Sequence, residues 1–125
     1  MPRKSGKSSR READLKRLER AAEFYLNDCY EARTAARADE FADYLRRTRP
    51  YLSRVALDLT GDSLSNYLRA KQLARAKKLL QTMPASVSID QIALACAFGT
   101  PWTFHRCFKV AFGMTPGAYR KKVTK

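Results

Sequence analysis

The sequence predicts an all-α protein made of two helix-turn-helix subdomains joined by a long linker helix, and three observations carry that expectation. A short apolar-faced segment, a turn and a longer segment with a basic outer face succeed one another between Ser88 and Phe112. The same order occurs earlier, between Asp39 and Leu59, and the two stretches align at an offset of 52 residues. Between them, Leu64 to Leu80 has helical apolar spacing and neither Gly nor Pro.

Taken from the N-terminus, Met1 to Arg11 carries Arg3, Lys4, Lys7, Arg10 and Arg11 among Ser and Gly, the composition of a disordered basic tail. From about Glu12 to Ala32, Leu15, Leu18, Ala22, Tyr25, Leu26 and Cys29 form one face of an amphipathic helix. That face either covers the core formed by the next helices or serves as a dimerisation seam. No Gly or Pro marks the boundary in Arg33 to Ala38. Phe41, Ala42 and Leu45 then define a short helix, and a turn at Arg46 to Thr48 leads to a second one. There Leu52, Val55, Ala56 and Leu59 face inward and Arg49, Ser53 and Arg54 outward, with Tyr51 open between the two sides.

The run from Leu64 to Leu80 places Leu64, Leu68, Leu73, Ala76, Leu79 and Leu80 on a helix about 25 Å long, which ends before Pro84. In Ser88 to Cys96, Ile89, Ile92, Ala93 and Cys96 fall at i, i+3, i+4 and i+7, with Ser88 as the N-cap. The chain breaks at Ala97 to Pro101. Phe104, Cys107, Phe108, Ala111 and Phe112 then form the buried face of a longer helix whose other sides carry Trp102, Thr103, His105, Arg106 and Lys109.

At the offset of 52, Thr48 matches Thr100, Arg54 matches Arg106, Gly61 matches Gly113 and Tyr67 matches Tyr119. These are matched roles: a helix N-cap, an outward arginine, a C-terminal glycine and an anchoring aromatic. The expected organisation is a tail at 1–11, an N-terminal helix plus first helix-turn-helix at 12–62, a linker helix at 63–81 and a second helix-turn-helix at 82–125.

The chain holds 25 basic against 12 acidic residues, a net charge of +13. After Asp62 the only acidic residue is Asp90, against eleven basic ones. A solvated surface normally mixes both signs, so this half favours a polyanionic partner. No apolar run is long enough for a membrane span or secretory leader, which implies a cytoplasmic protein with no membrane partner. Cys29, Cys96 and Cys107 are odd in number and unpaired in spacing, which points to reduced, buried thiols. His105 and Cys107 diverge by roughly 200° on a helix, so they do not share a metal. With one histidine and no nucleophile-base or metal-ligand constellation, neither an enzyme nor a cofactor is expected.

Thr48 to Arg54, Tyr67-Leu68, Arg75 to Leu80, Ile89 to Phe98 and Phe104 to Arg120 resemble the DNA-binding domain of the AraC/XylS family of bacterial transcription regulators over roughly Phe41 to Lys121. The resemblance implies a seven-helix domain whose third and sixth helices enter adjacent major grooves of double-stranded DNA. It also implies an extent like that of stand-alone family members without a ligand-binding domain, and recruitment of RNA polymerase at promoters. The chain departs from the family pattern at Arg46 and Ala97, where Gly is usual in the two turns, and a non-Gly residue at positive φ is costly. Ala56 stands where Phe is usual, so the first core is smaller unless Tyr51 or the N-terminal helix fills it. Gly99 replaces a polar cap that Thr100 takes over, ahead of Pro101 at the first helical turn.

Recognition helices are therefore expected at about 49–59 and 100–112. Arg54 and Arg106 are the candidate base readers, because a guanidinium offers two parallel donors to guanine O6 and N7; the alternative for each is a phosphate or an internal carboxylate. Trp102 is a candidate contact to a thymine methyl or the sugar backbone, with a core position as the alternative. His105 is a candidate for a base edge or phosphate, and Arg49, Ser53 and Thr103 are candidate secondary contacts, while Lys109 positions the backbone. A rigid tandem of two readers favours a monomer on an asymmetric site over a homodimer. Two other readings are an architectural protein with little sequence preference, and an interaction or dimerisation module using the 12–32 helix.

Overall fold

All regular structure in the computed structural model, which describes residues 6–124 with side chains from Arg10 onward, is helical. The helices are α1 (Gly6–Ala32), α2 (Ala38–Tyr44), α3 (Arg49–Thr60), α4 (Leu64–Thr82), α5 (Ile89–Ala95), α6 (Pro101–Phe112) and α7 (Pro116–Val123). Most starts are written locally. Thr48, Ser88, Thr100 and Thr115 each accept a hydrogen bond from the third residue beyond, and Ser88 and Gln91 complete a reciprocal capping box. The ends of α3 and α6 match as well: Gly61 and Gly113 lie at φ 81° and 76°, and their amides bond the Leu57 and Lys109 carbonyls.

Two compact units form, and they do not coincide with the divisions expected from the sequence. The first contains the chain up to Tyr25 and Arg37–Leu68; the second contains Leu26–Ala36 and everything from Arg69. Both α1 and α4 are thus divided between units. The helix α1 also starts earlier than expected, because residues 6–11 are helical rather than part of a tail; Arg3 and Lys4 lie outside the described residues. A tertiary bond accompanies this start, with the Arg11 guanidinium donating to the Asp58 carbonyl at 2.6 Å.

In the first unit, Leu18, Ala22, Tyr25, Phe41, Ala42, Leu52, Ala56, Leu64 and Leu68 are buried. Tyr25 stacks 5.2 Å from Phe41, and its hydroxyl accepts from the Arg37 amide at 3.0 Å and donates to Glu40 Oε1 at 2.9 Å. That bond caps α2, whose N-cap residue Arg37 provides no side-chain cap of its own. Tyr51 is 52% exposed and so lies outside the core, while Ala56 is fully buried. A groove of about 530 Å³ remains, lined by Leu18 and Ala21 of α1, Leu52 and Val55 of α3, and charged residues at its rim.

The second unit closes on a denser core of Leu73, Ala76, Leu80, Ile92, Ala93, Cys96, Phe98, Phe104 and Phe108, flanked by Cys107, Phe112 and Tyr119. Its four phenylalanines stack in sequence, with centroids 5.0 Å (Phe98–Phe104), 5.7 Å (Phe104–Phe108) and 4.6 Å (Phe108–Phe112) apart. Ala111, expected on the buried face of α6, is exposed, because that face narrows to Phe104 and Phe108 with Cys107 and Phe112 at its edges. Cys29 and Cys96 are buried and Cys107 is half-buried.

Both turns carry the strain expected from the missing glycines. Arg46 lies at φ 56° and Ala97 at φ 63°, conformations that cost a side-chain-bearing residue about 1–2 kcal/mol each. The second turn is one residue longer. Gly99, at φ 79°, supplies the extra residue, and a Cβ there would lie 3.0 Å from the Ala35 Cβ. Arg46→Gly should raise the unfolding free energy by about 1 kcal/mol, because the exposed side chain is lost without a packing cost. Ala97→Gly should gain less, since the Ala97 methyl is buried. Urea denaturation of the two variants checks both.

Candidate nucleic-acid interface

Each unit has its own candidate surface, the outer side of α3 in the first and the outer side of α6 in the second. On α6, burial of Phe104 and Phe108 fixes the opposite side toward solvent, where Trp102, Arg106, Lys109 and Val110 are exposed. The Arg106 guanidinium sits 5.5 Å from the Trp102 ring centroid, a cation–π pair one helical turn apart. No acidic residue lies on this helix. Thr103 is half-buried and occupied at the N-terminus, where its amide and hydroxyl both meet the Thr100 hydroxyl. His105 is half-buried, its ring edge-on to Phe104 at 6.1 Å, so it lies at the side of the stripe.

The outer side of α3 is different. Arg49 is engaged within the protein: its guanidinium pairs with Asp39 at 2.6 Å and donates to Ser53 Oγ at 3.2 Å and Ser65 Oγ at 3.4 Å. This ties the start of α3 to α2 and the start of α4. Ser53 is half-buried in the same contact, and Arg54 alone of the three extends into solvent with no ion pair or hydrogen bond among the described residues. Leu57, 57% exposed, and Asp58 replace the Lys109 and Val110 of the matched face.

What holds α6 in place is the turn before it, and the sequence reading missed its main support. Gln72 is 5% exposed in α4, and its Nε2 donates to the Cys96 carbonyl at 3.1 Å and the Ala97 carbonyl at 2.8 Å. The Ala36 amide donates to the same Ala97 carbonyl at 3.0 Å. Arg75, one turn on, donates through Nε to the Ala95 carbonyl at 3.1 Å, with its guanidinium 4.2 Å from the Tyr30 ring. The orphan carbonyls that end α5 are thus met by side chains of α4. A signal was present: Gln72 interrupts Leu64, Leu68, Ala76 and Leu80, an otherwise apolar run with a spacing of four.

Burial pushes the Tyr30 hydroxyl up to about 12 and the Cys96 thiol up to about 11, against the opposing pull of Arg75 in both cases. At the far end of the unit, Tyr119 anchors α7. Its ring lies 5.6 Å from Phe108 and 5.4 Å from Lys77 Nζ, and its hydroxyl accepts from Gln81 at 2.6 Å.

A family model described as a helix-turn-helix domain matches residues 41–122, which contain both turns and both exposed stripes. The probable transcription factor PqrA of Proteus vulgaris is 35% identical over 86 residues, covering 69% of this chain and 69% of that protein. The chain belongs to the AraC/XylS family. The HTH-type transcriptional activator AarP of Providencia stuartii is 32% identical over 82 residues, 66% of this chain and 59% of that protein. Among solved structures, an AraC-type transcriptional regulator from Chromobacterium violaceum superposes with a TM-score of 0.70 at 28% identity, over 91% of this chain and 97% of that one. The family is one of helix-turn-helix regulators and not an enzyme class. No group of three or more metal-ligating side chains occurs among the described residues, and none of their helices is long and apolar enough to cross a membrane.

Gln72→Leu takes the side-chain donor from the Cys96 carbonyl and leaves the Ala97 carbonyl only the Ala36 amide, so it should lower stability by about 1–3 kcal/mol in urea denaturation. Tyr30 and Cys96 both stay protonated when folded, so the stability they contribute is complete below pH 9 and is lost as pH rises through about 11 to 12. Denaturation at pH 8 and pH 11 should show that loss.

Proposed function

We propose that the chain is a transcription regulator that binds double-stranded DNA sequence-specifically, with α6 and α3 each lying in a major groove and α6 the principal reader. Membership of a family of DNA-binding regulators supports the class of function. The observation that carries the assignment to α6 is its exposed Trp102, Arg106 and Lys109 stripe, free of acidic residues and mounted on a fully buried phenylalanine pair. A recognition helix needs side chains that reach base edges from a well-packed support, and this helix pairs an exposed stripe with buried Phe104 and Phe108.

Arg106 is the base reader of α6 and Arg54 that of α3. Lys109 meets phosphate. Trp102 holds the Arg106 guanidinium and faces the groove, and His105, at the side of the stripe, reaches the sugar-phosphate backbone. Thr103, whose amide is capped by Thr100, offers its hydroxyl at the helix start. In α3, Arg49 and Ser53 hold the helix to its neighbours, so their effect on DNA is through positioning. One chain with two unequal readers acts as a monomer on an asymmetric site. Recruitment of RNA polymerase is part of the same proposal and rests on the family alone.

The test is titration of wild type and single variants onto a duplex carrying the sequence the protein selects. Arg106→Ala should cost about 1–3 kcal/mol and relax preference at one guanine. Lys109→Ala should weaken all sequences equally and reduce the salt dependence by about one counterion. If Arg106→Ala lowers affinity uniformly without changing preference, Arg106 is a phosphate contact and the assignment fails.

A further inference from the structure

Among the described residues, the two most exposed large apolar side chains are Val110, at 82%, and Trp102, at 68%, and both are on α6. They stand four residues after and four residues before Arg106. Residues spaced by four form one stripe on a helix, each about 6 Å further along the axis. The only arginine of α6 is therefore bracketed by its two apolar exposures, with the Trp102 ring already 5.5 Å from the guanidinium.

A single exposed valine needs no explanation. Two such residues framing a base-reading arginine, on a helix with no acidic residue, do. If the stripe met only phosphates, neither side chain would gain anything on binding. The one apolar group that base edges display in the major groove is the C5-methyl of thymine.

Resting on the reading of α6 as a major-groove helix, we propose that Trp102 and Val110 read thymine methyl groups on either side of the guanine bonded by Arg106. The selected core is thus a guanine between two base pairs that each carry a thymine. Val110 becomes a specificity residue, a role that polar and charged patterning does not reveal. At the matched position of α3 stands Asp58, so the triad belongs to the second unit alone.

The experiment uses the full chain and the duplex it selects, with deoxyuridine replacing thymine at each flanking position so that only the methyl group is lost. Burying one methyl corresponds to about fourfold in affinity, and each replacement should weaken wild-type binding by about that factor. Trp102→Ala should abolish the penalty at one position and Val110→Ser at the other; both side chains are exposed, so the fold is retained. Equal affinity of wild type for thymine and deoxyuridine duplexes overturns the proposal, while leaving the proposed function standing if a sequence is selected. So does a selected sequence without thymine beside the guanine, or a variant that weakens binding but keeps both penalties. Failure to select any sequence overturns both readings.

Discussion

The carboxamide of Gln72 is the point on which the second unit turns. Two carbonyls at the end of α5 face the interior, and a buried carbonyl without a donor costs about as much as a core methyl group or two. Gln72 meets both, and the Ala36 amide adds a second bond at Ala97. That carbonyl belongs to a residue held at φ 63°, so the bonds also fix the strained conformation that redirects the chain into α6. From there Thr100 caps the helix, Phe104 and Phe108 lock its inner face, and the outer face is determined by helical geometry. The exposed stripe is thus a consequence of a turn built from the linker helix.

The two units share a plan and differ in how firmly they hold it. Leu52 and Ala56 in α3 stand where α6 has Phe104 and Phe108. A Phe-to-Ala difference at a buried site is worth about 3–5 kcal/mol, more than the whole strain of either turn. The first unit compensates through side-chain bonds: Tyr25 caps α2, and Arg49 bridges α2, α3 and α4. Arg49, still partly exposed, is thereby paired with a carboxylate at the surface. Beside Arg54 the outer face of α3 carries Leu57 and Asp58.

Much of the fold was legible because it is written in local chemistry. Hydroxyl caps at Thr48, Ser88 and Thr100 and apolar spacing in α4 to α6 derive from residue type and neighbours, while the αL positions at Arg46 and Ala97 were expected from the glycines usual there in the family. What was not legible depends on distant partners. The early start of α1 runs through Ser and basic residues that read as a tail, and the division of α1 and α4 between units is a tertiary fact. For the site, the exposed placement of Trp102, Arg54, Arg106 and Lys109 agrees with the helical faces drawn from spacing. The internal bonds of Arg49, the half-burial of His105 and the exposure of Val110 and Ala111 needed coordinates, because spacing sets a side chain's direction and not its neighbours.

We propose that α6, held by its turn, reads DNA more strongly than α3. Selection of bound duplexes from a random pool at physiological salt, repeated with Arg54→Ala and Arg106→Ala, tests it most directly. The expected result is an asymmetric motif of two blocks about ten base pairs apart, with the sharper block lost in Arg106→Ala and the weaker one in Arg54→Ala. A palindromic motif, or a sharper block that survives Arg106→Ala and disappears with Arg54→Ala, would contradict it.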